Sequence, residues 1–375
     1  MIEYIEIRNA DLEFAGIVDV FNSVIWHVDY YGTGDFEIYA PCLPLNLELL
    51  VAGNYITRPN DDAVGIIEEV HYSFSINDGR MITATGRFCK SLLDRRIIYR
   101  LTGANTVSTT ILSGNVENAV RSVISDNAIN CSFDASRNMQ NLVLGEHSGS
   151  TAVIVDESGN PAEQQIAFEN LLKWSDEFLR RYKIGAAVRI NQNRQFEYYC
   201  YEGKNRTVDN TDGNEPVIFS QDFENLVSSE FTHNETNYKN AALIGGEGDG
   251  IARFCTVLES ADSGVERREI YVDGSKTAKK YVDASGREQT LTSAQYQAQL
   301  LTLGAQKLAT LPILQTFAGE INLNSLTFKY KVNYNLGDKI TVQDSDTKIF
   351  MNTRIIEITE VQDNNGYSIS GKYES

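Results

Sequence analysis

Apolar and polar residues alternate along much of this chain, and a period of two marks a strand with one buried face. The stretch 34–41, Gly-Asp-Phe-Glu-Ile-Tyr-Ala-Pro, is the clearest case: Phe36, Ile38 and Ala40 fall on one side, Glu37 and Tyr39 on the other. Pro41 closes it, having no N–H to give a ladder. The same pattern predicts strands over 3–8, 12–20, 22–31 and 46–51, and a hairpin in which 64–75 meets 80–85 across Asn77-Asp78-Gly79. Asp and Gly tolerate the positive φ that tight turns need. A short helix follows over 86–100, with Phe88, Leu92 and Ile98 on its apolar face and Arg95 and Arg96 in its last turns.

Beyond about residue 105 the period lengthens. Asn115 is placed as the N-cap of a helix over 116–128, and a second helix is predicted over 162–183, with Ile166, Leu171, Trp174, Phe178 and Tyr182 as its core stripe. Strands 185–190 and 195–201 come next, turning at Gln192 and Asn193. Strands return over 217–220, 226–233, 239–245, 251–259 and 267–272, and the turn-forming stretches DGSK and ASGR lead into the strongest helix signal. There Thr292 and Gln295 make a capping box ahead of Tyr296, Leu300, Leu303 and Leu308, and Pro312 ends the helix. The final strands are FKYKVNYN, DKITVQ, TRIIEITEV and YSISGKYE, the last following Asn364-Asn365-Gly366.

The fold expected is mainly β with an α/β insert: a first β-barrel domain over 1–104, an α/β insert over 105–212, a second β-rich domain over 213–290, and a helix with a C-terminal β region over 291–375. Composition agrees, with 42% hydrophobic residues and 19 Tyr against 2 Trp, which suits half-exposed strands better than a helical bundle. Only 6 Pro and no biased tract argue for order throughout.

Acidic residues outnumber basic ones 51 to 33, a formal charge of −18. Such a surface repels phosphate, which argues against a dedicated nucleic-acid binder or an anionic membrane surface, and is compatible with DNA that passes without sticking. It also keeps a protein soluble. Cys42, Cys89, Cys131, Cys200 and Cys255 lie far apart and suggest reduced thiols made in a cytoplasm. The N-terminal stretch carries no secretory signal pattern, and no window reaches the roughly 18 apolar residues of a membrane span.

Catalytic motifs are missing. No G-x-S-x-G, H-E-x-x-H, Walker lysine loop or EF-hand series occurs, and His27, His71, His147 and His233 fall on different elements. His147-Ser148 puts a base beside a nucleophile, but sequence neighbours seldom face each other and GEHSGS reads as loop. Gly245-Gly246-Glu247-Gly248-Asp249-Gly250 follows a strand as a phosphate cradle does, yet it has no P-loop lysine, and a tight connection between strands explains it better. Asp61-Asp62, Glu68-Glu69 and Asp344 with Asp346 could serve a hard cation, although unpaired surface carboxylates account for them better. No catalytic, cofactor-binding or metal residue is assigned, and a non-enzymatic structural role is expected.

The order of these elements resembles the tail-hub proteins of long-tailed bacteriophages, a group that includes baseplate hubs and the N-terminal part of tail-associated lysins. The matching pieces are GDFEIYAP (34–41), VGIIEEV (64–70), TGRFCKSLLDRRI (85–97), VIFSQDFENL (217–226), YKNAALIGGEGDG (238–250), RREIYVD (267–273) and LGDKITV (336–342). The resemblance implies a homotrimer with two tube-like β-barrel domains per subunit, mated to a tail-tube or distal-tail ring. It further implies closure of the tail channel until DNA leaves, contact with receptor-binding proteins, and a place in the virion after assembly in the host cytoplasm. Because 375 residues end just after a strand, a minimal hub without a wall-degrading domain is expected, from a siphophage of a Gram-positive host. The strand around Phe36 and the Arg95-Arg96 turn are the interface candidates. A virion-borne hydrolase and a carbohydrate-binding adhesin are the alternatives.

Overall fold

The structure is a computed structural model and describes residues 1–101, 107–156, 159–282, 287–322 and 327–375. Strand makes up 41% and helix 18%, so the chain is mainly β. It divides into two compact units, each assembled from separated stretches: unit 1 from 1–91, 185–233 and 315–375, unit 2 from 92–184 and 234–314. The sequence-derived boundary at 104/105, and residues 284–286 of the ASGR turn, lie outside the described residues.

Unit 1 is built on a 13-stranded sheet. Its path runs from the edge strand Phe14–Val18 through Ile5–Arg8, Tyr55–Thr57, Gly65–Ser75, Gly79–Phe88, Asp35–Pro41 and Ser23–Asp29, then through Ile349–Asp363, Gly366–Glu374 and Leu314–Ile321 to the other edge, Leu226–Asn234. Lys339–Asp344 pairs with the start of the long Ile349–Asp363 strand and carries Ile218–Ser220 in parallel. Barrels were expected; the ladders instead follow an open path, and no pairing among the described residues closes it into a ring.

Two apolar clusters fill this sheet's folds. One gathers Ile5, Ile7, Val24, Trp26, Phe36, Ile38 and Ile82, the other Phe219, Phe317, Tyr334, Ile340, Ile355, Ile358 and Tyr373. Val28 and Tyr367 pack against both, at the join between Ser23–Asp29 and Ile349–Asp363. Burial of this kind contributes about 1.5–3 kcal/mol per large side chain. The alternation in 34–41 is therefore literal, with Phe36, Ile38 and Ala40 buried and Asp35 and Glu37 turned away.

The hairpin Gly65–Ser75/Gly79–Phe88 forms as expected, closing with Ser75 opposite Gly79, whose φ of 78° only glycine adopts without strain. The strand expected over 46–51 does not form: residues 46–49 belong to a short helix, α1 (Pro44–Leu49), which Leu50 ends. Pro44 at its first position pre-sets a helical φ, and buried Asn46 donates to the carbonyls of Val20 and Pro41 at 3.0 and 2.9 Å, locking the turn. The FKYKVNYN strand is replaced by a tight turn, because Lys331 sits at φ 65° and Asn333 Oδ1 accepts from the Lys329 N–H at 2.8 Å. Leu314–Ile321 is a strand that the sequence reading missed.

Unit 2 holds α2 (Val116–Ile124), α3 (Leu171–Arg181) and α4 (Ser293–Ala309). Asn115 caps α2 as expected, accepting from the Asn118 N–H at 3.0 Å. The 162–183 helix is shorter than expected. Gln164–Ile166 is a strand, Phe168 at φ 61° breaks the chain, and Asn170 caps α3 by accepting from the Lys173 N–H at 3.0 Å. Ile166 thus leaves the helical stripe, while Trp174 and Phe178 stack with centroids 5.1 Å apart. The Thr292–Gln295 capping box is present, and α4 packs Tyr296 and Leu300 onto Ala242, Ile244 and Val272 of the sheet Cys255–Leu258, Ala241–Gly245, Glu269–Asp273. The helix expected over 86–100 is a strand end to Phe88 followed by a 3-10 turn, Cys89–Arg95.

Candidate functional site

The interface candidates fall in different settings. Phe36 is 2% exposed and packs with Trp26 and Phe88, ring centroids 6.4 and 6.2 Å away, so its own side chain presents no surface; the opposite face of its strand does. Arg95 is exposed. Arg96 is half-buried and donates to the Arg137 carbonyl at 2.7 Å, and burial together with Arg137 and Arg95 lowers its pKa.

His147-Ser148 is not a nucleophile pair. The Ser148 hydroxyl donates to Glu117 at 2.6 Å, and the Ser148 N–H reaches the same carboxylate at 3.0 Å. Glu117 is buried, so this is a clamp from a loop to α2. The glycine run joins Ala241–Gly245 to Cys255–Leu258, its Glu247 N–H bound to the Tyr296 hydroxyl at 2.7 Å. Asp344 caps its own turn, accepting from the N–H groups of Asp346 and Thr347. Among the described residues no three His, Cys, Asp or Glu side chains gather as a metal group, and no helix is long and apolar enough to cross a membrane.

What the sequence reading did not find is a pocket of about 490 Å³ within unit 1. Residues 28–33 and 88–90 supply part of its wall, and three further stretches supply the tyrosines and most of the charge. The Gly185–Ile190/Phe196–Tyr201 hairpin presents Tyr199 and Tyr201, the 58–63 turn presents Asp61 and Asp62, and the 329–336 turn presents Tyr330 and Lys331. Alternation along Phe196–Tyr201 buries Phe196, Tyr198 and Cys200 and leaves Tyr199 and Tyr201 on the pocket side, a signal readable only once the pocket is known.

The turns are tied by charge. Asp61 accepts from Arg58 at 2.5 Å and pairs with Lys331 at 2.8 Å, and Arg58 also pairs with Glu360. The Arg58 guanidinium lies 4.7 Å from the Trp26 ring centroid, and Glu360 accepts from the Tyr367 hydroxyl at 2.5 Å. Burial alone would raise the Asp61 pKa, but Arg58 and Lys331 outweigh it and the carboxyl is held below its ordinary value. Lys90, buried, lines the same pocket and donates to the Tyr31 carbonyl at 2.9 Å. Burial pushes the Tyr199 hydroxyl up to about 12 and raises those of Tyr201 and Tyr330 as well, so all three are neutral at physiological pH.

A second charged group sits at the join of the sheet. His27 faces Asp35 at 3.3 Å through Nδ1 and Glu357 at 3.4 Å through Nε2, and Lys372 reaches Glu357 at 2.8 Å. The His27 hydrogen bond, opposed by burial and supported by Lys372, holds Glu357 down at about 2; in return Glu357 and Asp35 raise His27 against its own burial.

Both edges of the sheet carry exposed apolar side chains. Phe14 (60% exposed) and Ile17 lie on one edge strand, Val227 (61%) and Phe231 on the other.

Comparison with solved structures gives the same fold in phage tail proteins. The tail protein from Neisseria meningitidis MC58 aligns with TM-score 0.57 at 11% identity, covering 99% of this chain and 96% of its own. The 43 kDa tail protein of prophage MuSo2 from Shewanella oneidensis gives 0.55 at 10%, covering 99% and 98%. Prophage tail protein gp18 from Listeria monocytogenes EGD-e gives 0.50 at 11%, covering 98% and 94%. No curated protein sequence matches. The family model described as Siphovirus ReqiPepy6 Gp37-like protein matches residues 4–370, nearly the whole chain. With that match and a mainly β fold shared with phage tail proteins, the chain belongs to the siphovirus Gp37-like family.

Proposed function

We propose that this chain is a structural protein of the virion, a homotrimeric hub at the distal end of the tail that joins the tail-tube or distal-tail ring to the tip. The observation that carries this reading is the open sheet, whose two edge strands each offer unpaired backbone groups beside exposed apolar side chains. Such edges favour association unless they are covered. Edge-to-edge contact between copies generates a closed ring when the rotation closes. The two apolar clusters then correspond to the two tube domains of each subunit, and Arg95 and the face of the Asp35–Pro41 strand opposite Phe36, exposed at Asp35 and half-buried beyond it, are contact candidates. A formal charge of −18 suits a channel through which DNA passes without adhering. The hub closes that channel, opens for ejection, contacts receptor-binding proteins, and carries no catalysis of its own.

Native mass spectrometry of the full chain, alone and with its distal-tail ring, tests this. A trimer that Ile17→Lys and Val227→Lys each convert to folded monomer is expected. A wild-type chain that stays monomeric and ignores the ring sinks the reading, and release of sugars or peptides from host cell wall by the purified chain sinks its non-enzymatic part.

A further inference from the structure

The tyrosine-lined pocket serves none of these contacts, and its chemistry suggests a ligand. At about 490 Å³ it lies within the range of small-molecule sites, about 300–1,000 Å³. Its ionic groups are largely committed. Asp61 is held by Arg58 and Lys331, Asp29 Oδ1 accepts from the Tyr31 and Gly32 N–H groups at 2.8 and 2.7 Å, and Lys90 donates to the Tyr31 carbonyl. The hydroxyls of Tyr199, Tyr201 and Tyr330 have no hydrogen-bond partner among the described residues. Asp62 is mostly exposed, and its ion pair among the described residues is a long 3.9 Å contact to Arg189. The uncommitted groups are therefore three neutral hydroxyls, each able to donate and accept, and one accepting carboxylate.

The rings matter as well. Tyr199 and Tyr201 lie 5.8 Å apart with a 37° tilt, and Arg189 sits 4.9 Å from the Tyr199 centroid. Tyr201 is fixed edge-on to Tyr30, 5.2 Å away. Tyr330 comes from the strained turn at Lys331, which the Asp61 pair holds in place. The result is a set of aromatic surfaces ringed by hydroxyls.

Charge then sorts the ligand classes. Asp29, Asp61 and Asp62 outnumber Lys90 and Lys331 in the lining, which disfavours phosphate and other anions. The two lysines in the same lining disfavour an ammonium ligand. A neutral polyol fits, because its hydroxyls match groups that both donate and accept, while its C–H face rests on an aromatic ring. We propose that this pocket is a saccharide-binding site that takes a neutral pyranose sugar, a property independent of the assembly proposed above.

Saturation-transfer NMR on the full chain tests it, with methyl α-glucopyranoside, methyl α-galactopyranoside, rhamnose and N-acetylglucosamine as probes and choline and inorganic phosphate as contrasts. Transfer to at least one sugar is expected, and none to choline or phosphate. The double variant Tyr199→Phe/Tyr330→Phe keeps the rings and removes two hydroxyls, so affinity should fall about tenfold or more with the melting temperature unchanged. Tyr72→Phe, on the exposed face of the 65–75 strand, should leave binding as it was. Silence from all four sugars overturns the proposal, as does binding of choline or phosphate in their place. So does sugar binding that the double variant leaves intact, because the ligand would then sit elsewhere.

Discussion

Replacing Glu357 by Gln tests whether charge holds the join between the two halves of the sheet. Glu357 lies on the Ile349–Asp363 strand, between His27 on one side and Lys372 on the other. Its pKa falls from 4.5 to about 2. At about 1.4 kcal/mol per unit, a shift of that size corresponds to a ceiling of about 3 kcal/mol. The side chain is 26% exposed, so solvent screening brings the expected contribution to about 1–2 kcal/mol. The sign follows from the direction: a depressed carboxyl stabilises above its unfolded pKa near 4.5, and that contribution disappears as pH falls toward 2. His27, raised above 6.5, works the other way, stabilising below 6.5 and losing that contribution as pH climbs through its folded value. The join should be firmest between about pH 4.5 and 6.5. The assay is urea unfolding followed by Trp26 fluorescence in a Trp174→Phe background, so that only unit 1 reports. Wild type should lose about 1–2 kcal/mol from pH 5 to 2.5 in excess of Glu357→Gln, whose profile should be flatter. Parallel profiles for the two proteins across that range would refute the reasoning.

Other expectations are simpler to state. Thr292→Ala should cost about 1 kcal/mol in unit 2 and fray the start of α4, read by amide exchange, because it removes one half of the capping box. Gly86→Ala should prevent folding of unit 1, since a Cβ there would lie 1.8 Å from the Ile66 carbonyl oxygen; soluble, cooperatively melting protein would contradict this. Glu117→Ala should leave the Ser148 hydroxyl and N–H without their partner and cost about 1–3 kcal/mol, and an unchanged melt would show the clamp to be idle.

Where structure depended on near neighbours, the sequence was legible. The alternation of 34–41, the Asn77-Asp78-Gly79 hairpin, the Asn115 cap and the Thr292–Gln295 box are local devices, and each is present. The misreadings share a cause. Residues 46–49 became helical because Asn46 bonds carbonyls 5 and 26 residues away, and Ile166 joined a strand because Thr110–Leu112 pairs with it. Val20 and Thr110 are distant in the chain, and no window of neighbours contains them.

The pocket shows the same limit. Asp61-Asp62 looked like surface carboxylates, and Tyr199, Tyr201 and Tyr330 were lost among 19 tyrosines. The sequence by itself determined a mainly β chain, acidic, punctuated by identifiable caps and turns, and lacking any catalytic motif, because these follow from periodicity, charge and short-range hydrogen bonding. Only the tertiary structure decided that thirteen of the strands form one open sheet, that each unit is assembled from separated segments, and that three tyrosines line one pocket with Asp61. Strand partners are chosen by burial and ladder hydrogen bonds summed over the whole chain, and that sum cannot be read one segment at a time.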